Sequence, residues 1–292
     1  MSTILIGVDA SGRSEDAIAF GRDLAAVTDA HVVVACAFPY DDLPARGSNP
    51  PYREALGDEA ERIAGAMRDR LDGIATDRTR LRIVANQSPA HALHDLAVAE
   101  HAEIIVVGSS HAGRFGRVTP GTTGERLLHG SPCAIAVVPH GYGARHDRPM
   151  RRIGVAYDAS DGAELAVTAA VELARALDAG LEIIGVVAAA DDTTSGTDVE
   201  RDAQAALDAV AAELPAVGLC LTGDPAAKLG ERSADLDLML VGSRGYGPLR
   251  SVLVGDVSGR FVRTAACPVI VLPRGAGAPL GALFARAPAV AA

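Results

Sequence analysis

The chain has 292 residues, enough for two domains of ordinary size, each able to bury its own core. A formal net charge of −10 opposes nonspecific binding to nucleic acid or anionic lipid, and five Phe, five Tyr and no Trp leave few base-stacking platforms. Apolar residues make up 49%, but their runs are short and interrupted, so no membrane span is expected. The opening "MSTILIGVDAS" lacks a basic segment followed by an apolar stretch and a cleavage site, which makes the cytoplasm the expected location. Cys36, Cys133, Cys220 and Cys267 lie within or beside apolar runs and form no C-x-x-C pair, a pattern of buried free thiols.

In chain order, the first half offers the strand candidates "TILIGVD", "HVVVACA", "LRIVA", "EIIVVG" and "CAIAVVP". The second offers "RIGVAYD", "LEIIGVV", "GLCLT", "LDLMLVG" and "CPVIVLP". Amphipathic segments, "SEDAIAFGRDLAAVT" and "DGAELAVTAAVELARAL", separate the first two runs of each half and carry Asp or Ser near their starts. Alternation of this kind indicates a parallel α/β sheet.

The two halves read as an internal duplication. Asp9 and Asp158 stand 149 residues apart, as do Ala37 and Val186; from Gly108 and Gly242 onward the offset is 134. The length difference therefore lies between the second and fourth strands, where the first half is expected to carry a long Pro-rich loop, "FPYDDLPARGSNPPYRE", and a longer helix. The expected units are residues 1–140 and 150–273, joined near "HGYGARHDRPM". The Ala-, Gly- and Pro-rich segment 274–292 reads as a mobile extension, with "APLGALFARA" suited to a short docking helix.

In such a sheet, ligands gather at the carboxyl ends of the strands, where strand order reverses. Asp9 and Asp158 end the first strand of each half. Each suits two roles equally: capping the next helix, or accepting from a ribose or joining a metal site. The fourth strands end in Gly108 and Gly242 and run into glycine-rich loops, whose amides can converge on phosphate oxygens. In "GSRGYGPLRSVLVGDVSGR", Gly242, Gly245, Gly247 and Gly255 precede a helix start.

Other chemistry is sparsely represented. His91 and His94 share a predicted helix, and a solvated face is the favoured reading over a metal site. No Walker A loop or G-x-S-x-G elbow occurs. No nucleophile, base and orienting acid form a set, so no fast hydrolytic chemistry is expected.

The spacing Gly242-x2-Gly245-x9-Gly255, with "VDAS", "YDAS", "TGDPAAKL" and "CPVIVLP", resembles the universal stress protein family, whose nucleotide-binding members carry G-x2-G-x9-G followed by Ser or Thr. The resemblance covers essentially the whole chain, twice. It implies two tandem doubly wound five-stranded parallel sheets, each of Rossmann-like strand order 3-2-1-4-5. It also implies ATP, with Mg²⁺, across the ends of the first and fourth strands, bound without fast turnover in a stress-response sensor or regulator. Asp9 with Ala37, and Asp158 with Val186, would face adenine and ribose. The fifth strands, "AIAVVP" and "VIVLP", would pair the two domains or two copies of the chain.

Each half departs from the pattern. In the first, Gly108, Gly121 and the hydroxyls of Thr122 and Thr123 are kept, but His111 replaces the middle glycine. In the second, all three glycines are kept, but Asp256 occupies the hydroxyl position, leaving Ser258 as the nearest hydroxyl and Arg244 and Arg250 to offset the charge. Backbone geometry is harder to replace than a side chain, which favours the second half by a small margin. The alternatives are a scaffold with degenerate loops, or a slow ATPase.

Overall fold

The ten apolar runs form ten strands. β1 (Thr3–Val8), β2 (His31–Phe38), β3 (Thr79–Ala85), β4 (Ile104–Gly108) and β5 (Ala134–Val138) belong to the first half. β6 (Arg152–Ala156), β7 (Gly180–Val187), β8 (Ala216–Thr222), β9 (Leu238–Gly242) and β10 (Val269–Leu272) belong to the second. The structure, a computed structural model, describes residues 2–40, 49–110, 117–145, 149–188, 194–243, 257–273 and 280–284.

Within each half the strands are parallel in the order 3-2-1-4-5, and the two sheets join into one of ten strands, β3-β2-β1-β4-β5-β10-β9-β6-β7-β8. The junction is antiparallel, with Val269 opposite Val137, Ile270 opposite Ala136 and Val271 opposite Ile135. The fifth strands thus pair within one chain. Alternate residues point to opposite faces, and both faces are covered, as a parallel sheet requires. One core cluster holds Ile4, Ile6, Phe20 and Val34 with Ile153, Val155 and Leu173. The other holds Leu5, Val33 and Ile105 with Met239, Val241 and Phe261. Each core runs through both halves.

The first-half helices are α1 (Arg13–Ala26), α2 (Pro50–Arg68), α3 (Pro89–Ala99) and α4 (Thr122–Gly130). The second half has α5 (Asp161–Leu177), α6 (Thr194–Ala212), α7 (Pro225–Arg232) and α8 (Val257–Val262). Pro89 and Pro225 open α3 and α7 behind the caps Ser88 and Asp224, which accept from His91 N–H at 3.4 Å and Ala227 N–H at 3.0 Å. Proline at a helix start loses no hydrogen bond, because that amide has no intrahelical partner.

The expectation of a longer helix in the first half is corrected: α2 and α6 both have 19 residues. Pro50 and Pro51 begin α2 rather than extend the loop, with Asn49 capping it by accepting from Tyr52 N–H at 3.3 Å. The extra length lies in the connections on either side of α2.

The linker is pinned to α1. The buried carboxylate of Asp16 accepts from Gly141 N–H at 2.9 Å and Gly143 N–H at 2.8 Å, and Tyr142 donates to Asp23 at 2.8 Å. After β10, the short helix α9 (Gly281–Phe284) docks on α5, burying Leu280 and Leu283. The rest of the C-terminal segment lies outside the described residues. No described helix is long and apolar enough to cross a membrane. Cys36, Cys133 and Cys267 are buried and Cys220 is half-buried, all as free thiols.

Candidate functional site

β1 lies between β2 and β4, so the chain leaves it in opposite directions, and a cleft opens at its carboxyl end. Asp9, Ala37, Gly108, Gly121, Thr122 and Thr123 all line this cleft, whose volume is about 140 Å³. Ala35, Pro89, Leu93 and Val107 give it an apolar wall. Arg13 and Ser14, from the first turn of α1, complete the polar side.

Asp9 is held by its own turn. Ser11 donates to Oδ1 through its amide at 2.9 Å and through its hydroxyl. The Ser14 hydroxyl accepts from Asp9 N–H at 2.8 Å and lies 3.2 Å from Oδ1. Arg13 donates from Nη2 to Oδ2 at 2.7 Å and from Nε to Ser11 Oγ at 2.8 Å. Burial pushes the carboxyl upward, but the Ser11 bonds, the Arg13 charge and Ser14 outweigh it and lower it below the ordinary 3.8. Asp9 is therefore an anion at neutral pH. It is not the N-cap of α1, a position held by Gly12.

Across the cleft, α4 begins at Thr122 behind Gly121, with no side-chain cap. Its first amides have no partner within the helix, and they open on the same space as the Arg13 guanidinium. A Cβ on Gly121 would lie 3.3 Å from Arg13 Nη1. The approach to α4 is held from the other half: Val118 N–H donates to Ala265 O at 2.7 Å and Arg117 Nη1 to Thr264 O at 2.5 Å, while Arg263 pairs with Glu125 at 3.0 Å.

The second cleft, of about 110 Å³, repeats the plan at the end of β6. Asp158, Val186, Gly242 and Ser258 line it together with Tyr157, Ser160 and Phe261. Asp158 Oδ1 accepts from Ser160 N–H at 3.2 Å, and Ser160 caps α5 by accepting from Ala163 N–H at 3.3 Å. The positions matching Arg13 and Ser14 are Gly162 and Ala163, so no cation faces Asp158 from this turn. Ala159 takes a left-handed φ of 57°. Tyr157 donates to Glu164 at 2.5 Å, and that bond, with some burial, pushes its phenol up to about 12. His111, Arg244, Gly245, Gly247, Gly255 and Asp256, with Arg250, lie outside the described residues.

Arg13 is the residue that sequence reasoning missed. Its signal was its place four residues after Asp9 in "DASGRS", at the first helical position. The glycines ending the fourth strands have a packing role beyond any contact with a ligand. A Cβ on Gly108 would lie 2.3 Å from Arg13 O, and one on Gly242 2.4 Å from the carbonyl carbon and oxygen of Gly162. Those glycines let α1 and α5 sit close over the strand ends. His91 and His94 border a separate groove between α3 and α4 with Glu125 and His129, and no metal-binding group of His, Cys, Asp or Glu occurs among the described residues.

A cleft at the strand-order reversal of each half of a duplicated 3-2-1-4-5 sheet defines a tandem Rossmann-like protein. The family model described as the universal stress protein family matches residues 1–139 and 149–273, and the chain belongs to that family. A universal stress protein of Mycobacterium tuberculosis is 29% identical over 294 residues, covering 92% of this chain and 96% of its own. One from Mycolicibacterium smegmatis is 27% identical over 290 residues, with the same coverage. The crystal structure of a universal stress protein from Archaeoglobus fulgidus superposes with a TM-score of 0.72 at 21% identity, over 94% of this chain and 98% of that one.

Proposed function

We propose that this protein binds an adenine nucleotide, ATP in the first instance, in the cleft at the carboxyl ends of β1 and β4. On this reading it holds the nucleotide without fast turnover and acts as a cytoplasmic stress-response regulator. The observation that carries the reading is the juxtaposition of Arg13 with the uncapped start of α4 at Gly121-Thr122-Thr123. A cation facing the uncapped amides of a helix start suits phosphate, the apolar wall of Leu93 and Val107 suits a base, and Asp9 suits a ribose hydroxyl.

The residues present fit such a ligand. Mg²⁺ would be held chiefly by the triphosphate. In the second cleft, Asp158 and the start of α8 repeat the arrangement without a cation on the Asp158 turn. The described residues thus favour the first cleft, in contrast to the small margin that loop glycines gave the second. Contacts from Ala265 and Thr264 to the segment entering α4 would pass a change in the first cleft to the other half.

Native mass spectrometry of the purified chain with Mg²⁺ and ATP tests the reading. Uptake of at least one nucleotide supports it. Absence of any uptake favours a paired scaffold, a reading that draws on the continuous β5–β10 junction.

A further inference from the structure

The two clefts differ in a side chain to which the nucleotide reading assigns only a charge. The carboxylate oxygens of Asp9 are unequally engaged. Oδ1 accepts from the amide and hydroxyl of Ser11 and lies beside the Ser14 hydroxyl. Oδ2, among the described residues, accepts from Arg13 alone, at 2.7 Å.

A neutral sugar hydroxyl seeking Oδ2 must displace a charge-assisted bond and leave the guanidinium without its carboxylate. An anionic group alters that balance. The Nη1 edge of Arg13 faces Gly121 at the start of α4, so a phosphate placed there draws the guanidinium to itself and frees Oδ2 for the sugar. Asp9 becomes available when, and because, the ligand carries a phosphate.

We propose that Arg13 makes the first cleft selective for phosphorylated nucleosides over free nucleosides, by holding Asp9 Oδ2 until an anionic group takes the guanidinium. The proposal rests on the nucleotide reading above and names the ligand class that the first cleft rejects. The second cleft has Gly162 at the matching position, so a substitution of Arg13 leaves its residues unaltered and it serves as an internal control.

The test is photolabelling of the full chain with 8-azidoadenosine and with 8-azido-ATP plus Mg²⁺, with labelled peptides assigned to residues 1–140 or 150–273. In the unaltered chain, half-maximal labelling of the first half should need at least about tenfold less of the triphosphate than of the nucleoside, the ratio set by one charge-assisted contact. Arg13→Ala should collapse that ratio, weakening the triphosphate and strengthening the nucleoside as Oδ2 is vacated. Arg13→Lys, which keeps a cation but not the forked donor set, should retain part of the preference. The ratio for any labelling of the second half should not change, which a general structural defect would not predict. An unchanged first-half ratio in both variants overturns the role of Arg13 while leaving nucleotide binding intact. Failure of the triphosphate to label the first half of the unaltered chain overturns the nucleotide reading for this cleft and this proposal with it.

Discussion

Gly108 sits directly beneath Arg13: a Cβ at 108 would stand 2.3 Å from the Arg13 carbonyl oxygen. The end of β4 and the start of α1 are in backbone contact, and that contact places Arg13 over the cleft. Gly242 stands in the same relation to Gly162. Gly108→Ala should therefore destabilise the chain by about 1–3 kcal/mol, the usual range for overpacking, and Gly242→Ala should do the same. Urea unfolding midpoints report the loss. A stability equal to that of the unaltered chain would show that α1 can shift without cost.

Ala159 carries the opposite expectation. Its left-handed backbone costs a residue with a Cβ about 1 kcal/mol that glycine does not incur. Ala159→Gly should raise the thermal midpoint, or leave it level where the greater freedom of glycine in the unfolded chain offsets the relief. A clear fall would contradict the strain.

The thiols should be unreactive in the native chain. Burial, followed by the charge of Asp9, pushes Cys36 up to about 11. Burial pushes Cys133 up to about 12 and raises Cys267 and Cys220 as well. Because the thiolate is the nucleophile, iodoacetamide at pH 8 should modify the folded protein slowly and the urea-unfolded protein rapidly. Rapid labelling of Cys36 under native conditions would refute this environment.

Asp9 links the site to pH. Its carboxyl lies below its ordinary 3.8 in the folded chain, so the stability it contributes is fully present above that value. That stability is lost as pH falls from there through the lower folded value. Arg13→Ala removes one of the lowering causes, so the Asp9 carboxyl should titrate at higher pH in that variant when followed by carbon-detected NMR. A titration unmoved by the substitution would mean that the ion pair is not formed in solution.

Much of this molecule was legible in its sequence because parallel strands buried on both faces are written as apolar runs. The duplication, and the strand-end positions of Asp9, Asp158, Gly108 and Gly242, followed from register alone. What escaped depended on tertiary context. Pro50 and Pro51 resemble loop residues until Asn49 is seen to cap a helix that they begin. Arg13 resembles a solvated helix residue until Gly108 brings α1 over the end of β4. The pairing of the fifth strands was expected from the family resemblance, but its antiparallel sense, with Val137 opposite Val269, is set by two sheet edges that neither strand expresses alone. His111 and Asp256 lie outside the described residues.

Hydrogen–deuterium exchange across residues 117–130, with and without Mg²⁺ and ATP, tests the central claim most directly. The amides of Thr122, Thr123 and Gly124 begin α4 without an intrahelical partner, and they should exchange quickly in the free chain. Nucleotide phosphates seated at Gly121 should slow them, with smaller changes elsewhere in the first half. Exchange in this segment that stays the same at saturating Mg²⁺ and ATP would contradict nucleotide binding in the first cleft.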